Sequence, residues 1–432
     1  MSLVQMTLGS YRCFSRRQDI ELRPVTLVLG RNNAGKSALV RAPVVIGTGI
    51  RTSSPGPLDL DQLGETMVDS FTDLVYGNRA LGSVQLGLRL DGRILDPIEL
   101  SATVQHIREH HTQVVSELTV TIGGARRLRV EWELTDPRRT PRYTVEVGGE
   151  TWTEVPLRFR GLFPIEVADH DRPADSLPPD FARVLRELSI KIRRGYPEVR
   201  YFGPFRDRPQ RRYRLPGRTP PEVGILGEHA ASILASDKVR HQSRLIRRLN
   251  DEFSDYLPGW KLDVAERGGM WSVVLISRDD DTIQVNLADA GTGVAQALPV
   301  FVQRAADLLD PTDRPVLEII EQPELHLHPA AHAALADLYL TAAQRTSTQF
   351  LIETHSETLL LRLRRRIAEG LDPELVAVYF VDSVDGAATA RRIHVDEFGN
   401  LDYWPEGVFS EDYEETKNLA RAQWERRDAR AG

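Results

Sequence analysis

An α/β fold organised around a phosphate-binding loop is what this sequence predicts, and three observations carry the prediction. The apolar, β-rich run Val25-Thr26-Leu27-Val28-Leu29 ends at Gly30, a glycine-bearing loop follows, and an apolar helical pattern begins at Ala38. Two later runs, within 314–321 and 348–353, repeat the pattern of an apolar strand with a polar end that turns into a helix. Residues from Gly82 to about Val155 alternate apolar and polar in a Val-, Leu-, Thr- and Arg-rich stretch, which reads as a β-rich section.

The loop Gly30-Arg31-Asn32-Asn33-Ala34-Gly35-Lys36-Ser37 fits G-x-x-x-x-G-K-[ST]. Its glycines let the backbone curl so that successive N–H groups face phosphate oxygens, and the following helix adds partial positive charge. Lys36 is placed to reach β- and γ-phosphates, and the Ser37 hydroxyl to ligate a magnesium ion bridging them. Lys36 is also one of five lysines in a chain that otherwise uses arginine. Nucleotide binding is the expectation.

Composition is that of an ordinary globular protein, and 432 residues suffice for a large core. The N-terminus Met1-Ser2-Leu3-Val4-Gln5 lacks a basic segment followed by an apolar one, and no run approaches the roughly 18 apolar residues of a membrane span. A cytoplasmic protein, neither exported nor membrane-spanning, is expected. The single cysteine, Cys13, excludes an internal disulfide and a Cys-based zinc site. A net charge of -7 means that any nucleic-acid surface is local.

Residues 1–29 read as two β-runs, Leu3 to Phe14 and Asp19 to Leu29, joined by the turn Ser15-Arg16-Arg17-Gln18. A Gly/Pro/Ser-rich loop is expected from Gly47 to Pro57. Beyond it Gln62 is either a magnesium-sensing glutamine or a solvated loop amide. His106, His110 and His111 have no matching third ligand and read as surface residues. Residues 168–182 read as a loop, Phe181 to Arg194 as a helix, and 228–257 as two helices. The Arg- and aromatic-rich stretch 201–214 suits phosphates and bases, an interface, or packing beside a nucleotide.

From Trp271 to Leu287 two alternating strands lead into Ala288-Asp289-Ala290-Gly291-Thr292-Gly293-Val294-Ala295-Gln296, a glycine turn opening a helix to about Leu308. Such an exposed helix start can bind a second phosphate surface; a plain capped helix is the other reading. The next strand ends in Glu321, where a carboxylate can hold magnesium, and runs on through Gln322-Pro323-Glu324-Leu325-His326-Leu327-His328. Zinc on His326 and His328 is the rival reading there. His355 closes a third strand, at the rim where α/β sheets bind ligands.

Together these motifs resemble the ABC-type ATPases of the SMC, RecF and OLD-like group, often described as AAA family ATPases of bacterial defence and DNA-maintenance loci. The loop 30–37 looks like their phosphate loop, 288–296 their signature motif, 320–323 their magnesium strand and Thr354-His355-Ser356 their switch histidine. The wording of 201–206, 321–329 and 399–407 is similar to one subfamily, so the resemblance spans nearly the whole chain. It implies an ABC-type P-loop NTPase head: a mixed sheet with helices and with β-rich and helical insertions. One domain, 1–432, would comprise a phosphate-loop part (1–80), a β-rich part (81–165), a helical insertion (166–260) and a signature, magnesium-strand and switch-histidine part (261–432). It further implies ATP and Mg2+ as cofactors. Two heads would sandwich ATP between one phosphate loop and the other's Asp289, Gly291, Thr292 and Gly293, as a dimeric switch with a separately encoded effector. Gln322 stands where relatives carry a catalytic glutamate, which implies slow hydrolysis assisted by Glu324 and His355; the alternatives are a non-hydrolysing ATP-bound scaffold or a DNA-binding module. No nuclease domain like that of OLD proteins is expected after His355.

Overall fold

The computed structural model describes residues 2–404, apart from 53, 55, 65, 66, 93–95, 137–139, 169–180, 253 and 255, together with 415, 417–424 and 426. The chain begins with β1 (Ser2–Gly9), β2 (Gln18–Glu21), β3 (Val25–Gly30), α1 (Lys36–Val40) and α2 (Ala42–Arg51). Seven strands follow: β4 (Ser83–Asp91), β5 (Ile98–Ile107), β6 (Thr112–Ile122), β7 (Ala125–Trp132), β8 (Arg142–Val147), β9 (Glu150–Arg160) and β10 (Phe163–Val167). Then come α3 (Phe181–Gly195), β11 (Glu198–Phe202), α4 (Ala230–Arg240), α5 (Arg244–Glu252), β12 (Trp260–Arg267), β13 (Met270–Ser277) and β14 (Gln284–Asn286). The last part holds α6 (Thr292–Leu309), β15 (Val316–Glu321), α7 (Pro329–Arg345), β16 (Thr348–Glu353), α8 (Glu357–Ala368), β17 (Val376–Val384) and β18 (Ala387–Ile393).

Among the described residues these strands make three sheets. The central one has the order β11-β15-β16-β3-β17-β18, parallel except at the β18 edge. Every residue of β3 and β15 is buried, which is why both read as unbroken apolar runs rather than as alternations. On one side Val28, Leu317, Ile319 and Leu351 join the core under α1, α2, α3 and an antiparallel sheet ordered β10-β9-β8-β7-β6-β5-β4-β1-β2. On the other, Leu27, Leu29, Ile320 and Ile352 pack against α4 to α8. The third sheet, β12-β13-β14, carries the chain into the turn before α6.

The α/β architecture, with the phosphate-loop strand inside a parallel central sheet flanked by helices, is therefore the fold. The strand that ends in Glu321 is separated from the phosphate-loop strand by β16, so Glu321, Glu353 and Gly30 all finish on the same edge of one parallel sheet. A buried ion pair, Arg304 of α6 with Glu318 of β15, fastens the long helix to that sheet; Arg304 also reaches Asp307 at 2.9 Å.

Several local expectations are corrected. The second β-run is two strands, because at Arg23-Pro24 the chain leaves the antiparallel sheet (β2) for the parallel one (β3), and proline has no N–H for a continuous ladder. The loop expected from Gly47 is helix to Arg51: Gly49 is there for close packing, since a Cβ on it would lie 2.5 Å from Leu162 Cγ. The helical stretch 166–260 contains β11, an edge strand of the central sheet; the two strands expected from Trp271 to Leu287 are β13 and β14, and β12, not expected, precedes them from Trp260. Most of the loop read at 168–182 lies outside the described residues.

Candidate functional site

The phosphate loop leaves β3 at its buried end and returns into α1 through Gly35, whose φ of 108° an L side chain rarely adopts. A Cβ there would also stand 2.4 Å from Cys13 Sγ, so the loop lies directly against the 10–14 turn. Lys36 is buried, and its Nζ donates to the Arg31 carbonyl at 2.8 Å. Burial lowers its pKa, while the nearby Glu353 carboxylate acts in the opposite direction. Ala34 is buried, whereas Arg31, Asn32 and Asn33 are exposed, Asn33 with a φ of 61°.

Ser37 donates to Glu353 Oε2 at 2.7 Å. Glu353 pairs in register with Glu321 across β16 and β15, and both are buried. Burial raises the Glu353 pKa, Ser37 lowers it, and the Glu321 charge raises it again. Glu321 is clasped by Arg41, which follows α1, through Nε–Oε1 at 2.5 Å and Nη2–Oε2 at 2.8 Å; Tyr201 donates to Oε1 at 2.9 Å. That clasp holds the Arg41 guanidinium above its ordinary range. Glu353 was not singled out in the sequence; its signal was an acid at a strand end between the loop strand and the acidic strand.

Lys36, Ser37 and Glu353 border a cavity of about 890 Å3, whereas Glu321, clasped by Arg41, does not line it. On one wall stand Asn32, Asn33, Gly35, Lys36 and Ser37, with Glu353, Gln322 and His355 beside them. Two further segments line it, the turn at Arg12 and Cys13 and then Asp73 with Tyr76, Gly77, Asn78 and Arg79. That second segment is stitched to the first turn by Arg12 N to Leu74 O at 2.8 Å, Tyr76 N to Ser10 O at 2.9 Å, and Arg12 Nη2 to Met67 O at 2.8 Å. The Arg79 guanidinium lies 6.0 Å from the centre of the Tyr76 ring.

Gln322 has a φ of 46°, rare for a residue with a side chain, and is held there by its N–H to the Glu353 carbonyl at 2.8 Å. Burial and the Lys36 charge hold His355 below the usual histidine range. Other expectations are not met by this geometry. Glu324 does not line the cavity; it is buried, and its Oε1 accepts the His355 backbone N–H at 2.7 Å. Gln62 sits on a short exposed turn, donates to Asp59 at 2.6 Å, and lines no part of the cavity. Asp289, Gly291, Thr292 and Gly293 are a different case, expected against a second copy's nucleotide: they lie outside this chain's own cavity, Asp289 makes a two-pronged ion pair with Arg211, and Gly291 and Thr292 are exposed.

Magnesium suits the oxygen donors present, the Ser37 hydroxyl with Glu353 and Glu321 behind it. Among the described residues no cluster of three His, Cys, Asp or Glu side chains could hold a metal. A cation taking one or two carboxylates plus phosphate oxygens needs no such cluster.

Residues 233–360 match the AAA ATPase domain family, a span that holds the signature turn, Glu321, Gln322 and His355. Residues 371–419 match DUF3696, a family of proteins of unknown function. No curated protein matches the chain. Similar solved structures include a SmcHead bound to the C-winged helix domain of ScpA, 11% identical over 92% of this chain and 99% of that one, TM-score 0.49. The SMC head domain from Thermotoga maritima is 12% identical over 91% and 100%, TM-score 0.42. An Smc head with an extended coiled coil bound to the C-terminal domain of ScpA, from Pyrococcus furiosus, is 11% identical over 91% and 96%, TM-score 0.42. The chain resembles the SMC/ABC-type ATPases, by its motifs and by the ATPase-domain match.

The lowered His355 pKa has a sign that can be checked. The unfolded chain binds this proton more readily, so the group's contribution to stability is complete above the unfolded value of about 6.5 and is lost as pH falls below it. In His355→Asn the decline in urea midpoint between pH 7.5 and 5.5 is expected to be shallower than in the native chain. Parallel declines would show that the ring is not held neutral by the site.

Proposed function

We propose that the chain binds ATP with magnesium in the 890 Å3 cavity and works as a slowly hydrolysing, dimeric ATPase switch. The observation that carries this reading is the convergence on one cavity wall of Lys36, Ser37, Glu353, Gln322 and His355, from three adjacent parallel strands. Loop N–H groups and Lys36 suit the phosphates. Tyr76, Arg79 and Arg12, which also line the cavity, suit a base and ribose by stacking and cation–π contact. Ser37, Glu353 and Glu321 would hold the magnesium, which when bound neutralises phosphate charge. Gln322 orients a water through its amide, and a neutral His355 offers a ring nitrogen to a proton or a phosphate oxygen.

The signature turn lies outside the cavity and faces solvent, an arrangement that supports its use on a second copy's nucleotide rather than on its own. The resemblance supports a role in bacterial DNA maintenance or antiphage defence, in the cytoplasm, with a separate effector. Gln322 favours one further reading, an ATP-bound scaffold that does not turn over.

The rate test is Gln322→Glu. A carboxylate can take the proton that an amide cannot, and general-base help is worth about 10² to 10⁴ in rate. Steady-state phosphate release is expected to rise at least several-fold, with Lys36→Met as the inactive control; an unchanged rate would remove Gln322 from the catalytic position. The dimer test uses Gly291→Arg, because a side chain at Gly291 meets open space, whereas a Cβ on Gly293 would lie 2.5 Å from the His326 carbonyl and disturb the fold. ATP is expected to double the mass of the native chain in light scattering and to leave Gly291→Arg monomeric. A dimer in both, with or without ATP, would place the interface elsewhere.

A further inference from the structure

Arg206 is a large charged side chain that the site described above does not use. It is 5% exposed, and its Nε and Nη1 have no hydrogen-bond partner. Burying a guanidinium with donors unmatched is costly, and such a group in a native fold calls for a reason. Its surroundings supply one. Gln296, on the second turn of α6, clasps the Arg206 backbone from both sides: Oε1 accepts Arg206 N–H at 3.1 Å and Nε2 donates to Arg206 O at 3.0 Å. At the other end the guanidinium donates through Nη2 to the Glu321 carbonyl at 3.4 Å, the peptide group that leads into Gln322. Buried Glu324 lies close enough to act on the Arg206 charge, and it has one oxygen unpartnered while the other holds the His355 N–H. A second contact runs alongside, since Gly293 is packed against the His326 backbone with no room for a Cβ. The first turns of α6 thus touch the 321–328 loop at two places, and Arg206 is the one that extends to the residue before Gln322.

We propose that Arg206 is a positioning residue that transmits the state of the signature helix to Gln322 and His355 of the same chain. The inference rests on the dimeric reading above. There, α6 of one copy grips the nucleotide held by the other, so Arg206 would report the partner's nucleotide to a chain's own cavity. The two cavities of the dimer are then coupled through protein already in contact. The unmatched donors of Arg206 and the unmatched oxygen of Glu324 give the link a second arrangement to move to, in which they satisfy one another.

The test separates transmission from binding by making a chain whose own cavity is empty. A 15N-labelled Lys36→Met copy is mixed with excess unlabelled native copy and ATP with magnesium, and amide hydrogen exchange is followed by mass spectrometry on both. The native copy is expected to show protection over 30–37. In the labelled copy, exchange over 321–328 is expected to slow at least about fivefold, the lower end of typical site-to-site coupling. Adding Arg206→Met to the labelled copy should abolish that slowing, while protection over 30–37 of the native copy and mixed-dimer formation persist. Gln296→Leu in the labelled copy, which opens the clasp without removing the buried charge, should reduce the slowing as well and stands in if Arg206→Met does not fold. Unaltered slowing in the variants, or none in the parent mixture despite protected 30–37, overturns the role of Arg206. No protection over 30–37 in the native copy overturns the nucleotide reading, and this inference with it.

Discussion

Two carboxylates side by side at the ends of buried parallel strands set the terms for everything around them. Glu321 and Glu353 are in register on β15 and β16, both out of water, and like charges so placed repel unless neutralised. The structure answers with two ties from the segment that follows the phosphate loop: Arg41 clasps Glu321 with two hydrogen bonds, and Ser37 donates to Glu353. Removing one partner from a buried pair generally costs about 3–5 kcal/mol. These ties therefore anchor α1 against the sheet and fix where the loop's N–H groups point. The conformation of the loop, the left-handed Gln322 and the seating of His355 on Glu324 all follow from that strand edge.

The same constraint explains how ground-state order and catalytic restraint coexist. The Ser37 hydroxyl holds the Glu353 carboxylate, and the backbone N–H groups of Gln322 and His355 are tied to the Glu353 carbonyl and the Glu324 carboxylate, so the chain at all three is set before a ligand arrives. Glu324 does not supply the carboxylate that the amide at 322 lacks, because it is turned inward to the His355 N–H.

Much of this was legible in the sequence for a physical reason. Buried parallel strands are near-continuous apolar runs, so β3, β15 and β16 declared themselves, and β15 and β16 each ended on a glutamate at the same sheet edge. Local patterns also gave α3 and the start of α6. What was not legible was set by contacts distant in sequence. Gly47 and Gly49 read as a loop, yet Gly49 lets α2 pack on Leu162. β11 is short and half-buried and looked like part of a helical insertion until β15 supplied its partner. Arg41 lies in no motif, and the stretch 201–214 named no partner for Tyr201 or Arg206; their roles come from the carboxylate and carbonyl they meet across 280, 120 and 115 residues. Glu324 sat beside the magnesium strand in sequence and turned away from the cavity in space.

The central claim is that the Ser37–Glu353 pair, backed by Glu321, is the metal end of a nucleotide cavity. Isothermal titration of ATP into the native chain, into Ser37→Ala and into Glu353→Gln, each with and without magnesium, tests it directly. The account predicts that magnesium tightens ATP binding to the native chain at least tenfold and that this gain disappears in both variants while weak, metal-free binding remains. An equal magnesium effect in all three proteins would contradict it.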